Sequence, residues 1–308
     1  MEGEGCTMQK KAKVWLNGEL VDWQDATVPL LSHGFSRASA IFEVFGTHIG
    51  PKGTMAFRMD EHLKRLMKSA ELLGMESAYS IEEIAEAVRI TVKKNKQGRG
   101  LVKILAYWGE EAVIQLLLDS PLDVAVFTVP ETPDLGLDNA NPISACISKW
   151  SKTHPRTVPV AAKACANYLN GYLARRDAAS RGYDIGIMLG TDGFLAEGSI
   201  ESVFIVKGDV LMTPPLGRIL ASITRMSIME AASIAGISVV EKAISAEDLL
   251  AADEVFTAHT GIKVSPIHRL ENRELEGPGP VTRNIMALME GILEFNDDRF
   301  TGWFQHLA

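Results

Sequence analysis

Cysteine is scarce. The 308 residues hold three, Cys6, Cys146 and Cys165, an odd number that makes no disulfide framework and suits a reducing compartment. No Cys or His pair has the spacing of zinc ligands, so no metal is expected. Long apolar runs are missing as well: no stretch of about 18 apolar residues exists to span a bilayer. The acidic start Met1-Glu2-Gly3-Glu4-Gly5 has neither the charged nor the apolar region of a secretory leader, and a cytoplasmic protein without a membrane partner is expected. Basic residues are too few for a nucleic-acid partner. Against 39 Asp and Glu stand 31 Lys and Arg, a net charge of -8, whereas a phosphate backbone calls for a basic patch.

What is present is an ordinary globular composition, 46% hydrophobic and 23% charged, in a chain longer than the ~250 to 300 residues at which single cores stop growing. Two domains are therefore expected. Asn17-Gly18 between short apolar runs predicts a type I′ hairpin. Leu63, Leu66, Met67, Ala70 and Leu73 share one helix face ahead of Gly74. Ser80 and Glu83 predict a capping box for a helix striped by Ile84, Val88 and Val92. Strands are predicted over Leu101–Trp108 and Val124–Val129. The stretch 131–142 is rich in Pro, Gly, Asn and Asp, which is turn chemistry. The expected division is a small α+β domain over 1–132, a linker over 133–142 and a larger domain over 143–308. In the latter a helix is predicted from Asn167 to Arg181, strands over Ile185–Leu189 and Val203–Val206, and hairpin turns at Asp192-Gly193 and Gly208-Asp209. Tight turns between strands imply largely antiparallel sheets, and without regular βαβ alternation the class is α+β.

Four features of the second half carry chemistry. Lys163 lies in the uncharged stretch from Val158 to Tyr168, where a desolvated amine is neutral enough to form a Schiff base with an aldehyde; an exposed lysine on a loop before a helix is the reading that holds for most lysines. Glu197, with Glu201 four residues on, sits in a small-residue loop where a carboxylate can face a pyridine nitrogen, unless both are solvated turn residues. Ser222 caps a helix opening Ile223-Thr224-Arg225, whose first amides and Thr224 hydroxyl suit phosphate, though a capped helix need bind nothing. The turn Ala258-His259-Thr260-Gly261 offers further amides to an anion. Tyr168, which opens the helix after Lys163, is either a partner for a phenolic oxygen or a half-buried core aromatic.

Together these features describe a site for pyridoxal 5′-phosphate (PLP). In Ala162-Lys163-Ala164 through Asn167-Tyr168-Leu169, Glu197-Gly198 to Glu201-Ser202, Ser222-Ile223-Thr224-Arg225 and Asp253-Glu254-Val255-Phe256, the chain resembles the class IV aminotransferases, or fold type IV PLP enzymes. Within them it is most similar to the branched-chain amino acid aminotransferases, from Trp15-Leu16-Asn17-Gly18 to Gly302-Trp303. The resemblance implies a two-domain D-amino acid aminotransferase-like fold. It implies that Lys163 holds the cofactor and moves the proton at Cα, that Glu197 pairs with the pyridinium nitrogen and Tyr168 with the ring oxygen, and that Arg65, Ser222, Ile223, Thr224 and Thr260 hold phosphate. Amino acid and 2-oxo acid substrates, ping-pong kinetics, a hydrophobic L-amino acid donor, 2-oxoglutarate as acceptor and a homodimer or larger assembly follow from it. Phe42, Thr260 and Gly261 would face the substrate. Arg37 and Lys103 stand where that family has a tyrosine and an arginine, so one or both are expected to clamp a substrate carboxylate; alternatively Lys103 reaches solvent and Arg37 pairs with Glu43. These departures keep open a D-amino acid transaminase and an aminodeoxychorismate lyase. A reading of another class is a non-catalytic metabolite-binding protein.

Overall fold

The computed structural model describes residues 12–135, 137 and 140–308; Cys6, the acidic start and positions 136, 138 and 139 of the expected linker lie outside them. The chain forms two units. One takes the described residues up to Leu137 with Ala162–Ala166 and Glu294–Ala308, the other Ala140–Ala161 with Asn167–Leu293.

The first unit begins with β1 (Lys13–Leu16) and β2 (Glu19–Asp22), joined by Asn17-Gly18 with both φ angles positive, as a type I′ turn requires. A single-turn helix, α1 (His33–Ser36), precedes β3 (Ala40–Gly50) and β4 (Gly53–Phe57). Two longer helices follow, α2 (Met59–Leu72) and α3 (Ile81–Asn95), the latter opened by the complete Ser80–Glu83 capping box. Strands β5 (Gly100–Tyr107) and β6 (Asp123–Pro130) complete the order terminal strand–β4–β3–β5–β6–β1–β2, antiparallel throughout, with Phe304–His306 as the terminal strand. One face of the sheet packs its core residues, Phe45, Val102, Ile104 and Val126, with Leu63, Leu66, Val88 and Val92 of the two helices. Period-two alternation sorts β3 and β5 into two faces. Val102, Ile104 and Ala106 are buried, while Leu101, Lys103 and Leu105 are half-buried.

The second unit holds β7 (Ile143–Ile147), α4 (Tyr168–Ser180), β8 (Ile185–Leu189), β9 (Leu195–Glu197), β10 (Ser202–Lys207), β11 (Val210–Thr213), α5 (Ile223–Ile234), β12 (Ser238–Glu241), α6 (Ala246–Leu250), β13 (Glu254–Ala258), β14 (Ser265–Leu270), β15 (Arg273–Glu274) and α7 (Pro280–Leu293). Its strands run β12-β11-β10-β13-β14-β7-β8-β9, with β15 on β14. The sheet is mixed: β11–β12, β14–β7 and β7–β8 are parallel, an outcome that turn signals do not reveal because parallel neighbours are joined by long connections. Leu195, Val203, Ile205, Val255 and Ile267 lie in its core.

Ala162–Ala166 and Glu294–Ala308 fold with the first unit. The terminal strand pairs with β4 through backbone bonds that any sequence can make, and Ala164 bridges Ile41 of β3. The unit boundary falls between Ala166 and Asn167.

Candidate active site

The first unit supplies the amine. Lys163 is fixed at both backbone ends: its N–H donates to Ser69 Oγ of α2 at 3.0 Å, and its carbonyl accepts from the Phe42 N–H of β3 at 3.1 Å. Its Nζ lies 4.7 Å from the centroid of the Phe42 ring, and Lys103 Nζ lies 5.2 Å from the same centroid. Phe42 and Lys103 share the half-buried face of their sheet, which accounts for a charged residue in an apolar strand: alternation turns Lys103 away from the core that Val102 and Ile104 fill. Burial raises the Cys165 thiol, against the pull of the Lys103 and Lys163 charges.

The opposite face of β3 carries Glu43, fully buried. It accepts from His62 Nδ1 at 2.6 Å and from Arg65 Nε and Nη2 at 2.8 and 2.7 Å. Burial alone would raise this carboxyl, but the charge and hydrogen bonds of Arg65, aided by His62, hold it at about 2. Burial pushes His62 down to about 4, outweighing its bond to Glu43, so a neutral imidazole donates through Nδ1 at neutral pH. At ~100° per residue Arg65, two residues past Leu63, lies roughly opposite that core residue on the helix. Its side chain is only 9% exposed, because a buried carboxylate on β3 draws it in. Glu43 is thus committed to α2 and does not pair with Arg37. Arg37 Nη2 and Nε instead donate to the carbonyls of Val113 and Gln115, at 2.6 and 3.2 Å.

The second unit carries a half-buried, ion-paired carboxylate and a helix start whose first amides lack an acceptor within the helix. Glu197 ends β9 in register with Met188 of β8, and is no solvated turn residue. Its Oε1 accepts from Lys152 Nζ at 2.5 Å and its Oε2 from the Leu220 N–H at 3.3 Å. Leu220 lies two residues before Ser222, so this bond ties Glu197 to the start of α5. There the Ser222 hydroxyl accepts the Arg225 N–H at 3.2 Å; the Ile223 and Thr224 amides, at the first two positions, have no acceptor within their own helix. Glu201 does a different job. Its carboxylate pairs with Arg175 and accepts the Ile200 N–H, and its carbonyl accepts the Gly198 N–H, folding the loop tightly. Burial raises the Glu201 carboxyl, against the Arg175 charge. The loop also lies so near α4 that a Cβ on Gly171 would come within 1.9 Å of the Ser199 carbonyl oxygen, a distance only glycine escapes.

Thr260 and Gly261 lie in the turn after β13. The Gly261 N–H donates to His259 Nδ1 at 3.1 Å, the His259 N–H to the Ile262 carbonyl at 3.1 Å, and Lys263 Nζ to the Thr260 carbonyl. Tyr168 is half-buried at the first position of α4. The structure thus joins Lys163, Phe42, Lys103 and Arg65 in one unit, and Glu197 and the Ser222–Thr224 turn in the other. Lys152, His62 and Glu43 as the partner of Arg65 escaped the sequence reading. For Glu43 the available signal was its placement on the core face of a strand, facing an α2 that carries a histidine and an arginine three residues apart. Lys152 gave none.

The family model of the class IV amino-transferases matches residues 40–270. The branched-chain-amino-acid aminotransferase of Salmonella typhimurium is 34% identical over 96% of this chain and 98% of its own length. Among solved structures, the branched-chain aminotransferase of Thermoproteus uzoniensis with norvaline superposes with a TM-score of 0.92 at 33% identity, covering 96% of this chain and 99% of that one. The branched-chain amino acid aminotransferase of Thermobaculum terrenum in its PLP form superposes at 0.90 and 28% identity, over 97% and 99%.

Proposed function

The chain belongs to the class IV aminotransferases, and from that premise we propose that it transfers the amino group of a branched-chain or related hydrophobic L-amino acid to 2-oxoglutarate. PLP is its cofactor. The donors present fit it: an amine beside a phenyl ring, a carboxylate gripped by a lysine, and helix-start amides for a phosphate. When bound, PLP supplies an aldehyde that condenses with amines and a ring that accepts the electron pair released at a substrate Cα.

The carrying observation is the lysine clasped between Ser69 and Phe42 at its backbone with its amine on the Phe42 face. In this reading Lys163 would hold the cofactor through its amine, and the same amine would take the proton from the substrate Cα. Glu197 would hold the ring nitrogen, Tyr168 the ring oxygen, and Arg65, Ser222, Ile223, Thr224 and Thr260 the phosphate. Phe42, Thr260 and Gly261 line the substrate. Lys103 is the carboxylate clamp, since it shares the Phe42 face, whereas Arg37 is engaged in holding the 113–115 loop. The purified protein with PLP should be yellow and bleach with borohydride. Lys163→Ala should abolish both the colour and amino transfer. A panel of L- and D-amino acids with 2-oxoglutarate or pyruvate separates this reading from a D-amino acid enzyme, and pyruvate release without amino transfer would mark a lyase.

We also place the protein in the cytoplasm as a homodimer. Among the described residues no helix is long and apolar enough to cross a membrane. Leu30, Leu31 and Phe35 are exposed, as are Val113, Ile114, Leu116 and Leu117, and the two segments are joined by the Ser32–Glu111 bridge and the Ala112 N–H to Leu31 carbonyl bond. An apolar ledge of this kind suits a second copy of the chain.

A further inference from the structure

We propose that Lys152 is the positioning residue that fixes the Glu197 carboxylate for the cofactor's ring nitrogen; the inference rests on the PLP reading above. Nothing in its sequence surroundings marks Lys152, and its place in the fold does. Its Nζ donates to Glu197 Oε1 at 2.5 Å, and the two side chains are only 8% and 14% exposed. The other oxygen, Oε2, takes the Leu220 N–H. The terminal torsion of a free glutamate is broad. Gripping each oxygen from a different segment, one by an ammonium and one by an amide, sets the plane of the carboxylate. These two donors use two of its roughly four acceptor sites, leaving capacity for a ring N–H.

Lys152 is in turn held at its base. Its N–H donates to the Leu189 carbonyl at 2.8 Å, and Leu189 adjoins Met188, the cross-strand partner of Glu197. On either side Asn170 of α4 clamps the segment: its Oδ1 accepts the Thr153 N–H at 3.0 Å and its Nδ2 donates to the Ser151 carbonyl at 3.1 Å. The lysine and its glutamate therefore hang from the same strand pair, and the ammonium arrives at the carboxylate with little freedom left to lose. Glu201 shows the contrast. Its ion pair with Arg175 goes with a carboxylate that also binds its own loop, so its acceptors serve local structure.

The test is a double-mutant cycle read by cofactor binding, without turnover. Lys152→Met, Glu197→Gln and the double variant, with Lys152→Arg as the conservative control, are titrated with PLP, following its absorbance band and dissociation constant. Lys152→Met should weaken PLP binding by about tenfold or more, the loss expected for a hydrogen bond to a charged group. Lys152→Arg should restore most of it. In the Glu197→Gln background the same substitution should change the constant by less than about twofold, because the residue acts through Glu197. Unaltered binding and band in Lys152→Met, or an equal loss in both backgrounds, overturns the inference alone. Should Lys152→Met fail to fold, Lys152→Gln takes its place in the cycle under the same criteria. A Glu197→Gln variant with wild-type affinity and spectrum overturns the reading of Glu197 and this inference with it.

Discussion

Lys163 and Arg65 are joined through one hydroxyl: Ser69 Oγ accepts the Lys163 N–H at 3.0 Å and donates to the Arg65 carbonyl at 2.8 Å. A residue buried in α2 thus sets where the chain turns as it carries the amine. Ser69→Ala should cost about 1 to 2 kcal/mol in stability and lower kcat more than it raises KM, since it would misplace the proposed base, Lys163, and leave the proposed substrate contacts intact. Urea unfolding and steady-state kinetics check it; an unchanged kcat would remove the Ser69 tether from the site.

Glu43 and Arg65 form a pair that neither partner can leave cheaply. Glu43→Ala leaves the Arg65 guanidinium, 9% exposed, without its counter-charge, and breaking such a pair costs roughly 3 to 5 kcal/mol. A large shift in the urea midpoint is expected. Arg65→Lys should also weaken PLP binding, because an ammonium cannot reproduce a two-pronged hold on Glu43 while facing a phosphate.

A buried imidazole, His62, and a half-buried one, His259, make the fold acid-sensitive. Burial pushes His62 down to about 4, and burial with the Lys263 and Arg175 charges pushes His259 to about 4. Between the ordinary histidine value of 6.5 and about 4 the unfolded chain binds protons that the folded chain refuses, so stability is full above that window and falls as pH drops through it. Glu43 adds a second loss between 4.5 and about 2. By pH 5 each histidine should have removed on the order of 2 kcal/mol. Tm should fall by several degrees between pH 7 and 5, and His62→Gln should remove about half of that dependence. A Tm flat across this range would contradict the lowered titration of both rings.

Lys103 should discriminate among acceptors. Lys103→Leu is expected to raise KM for the dicarboxylate 2-oxoglutarate about tenfold while altering KM for a branched 2-oxo monocarboxylate less, the signature of one lost charge-assisted contact. Arg37→Ala should differ, affecting all substrates alike by loosening the 113–115 loop. Equal rises for both acceptors in Lys103→Leu would end the clamp assignment.

The apolar ledge predicts assembly. Leu117 is 84% exposed and Ile114 85%. Replacing both by glutamate should convert a dimer to monomers in sedimentation velocity, with little effect on the far-UV circular dichroism of the protomer. A wild-type chain that sediments as a monomer at micromolar concentration would retire the homodimer.

The sequence by itself determined what depends on neighbours. The Asn17-Gly18 hairpin, the Ser80–Glu83 box, the α2 stripe and the Ser222 cap each form from residues within a few positions, where turn angles and hydrogen-bond reach decide the outcome. The uncharged setting of Lys163 and the small-residue loop at Glu197 were legible for the same reason. Tertiary structure alone decided which partners these residues keep. Lys152 lies 45 positions from Glu197 and Glu43 lies 22 from Arg65. Long-range ion pairs leave no periodic trace, since any lysine or glutamate satisfies the local pattern equally. The parallel neighbours β7 and β8 and the terminal strand on β4 escaped for a related cause: sheet edges pair through backbone groups that every residue shares, and only the assembled core selects which edges meet.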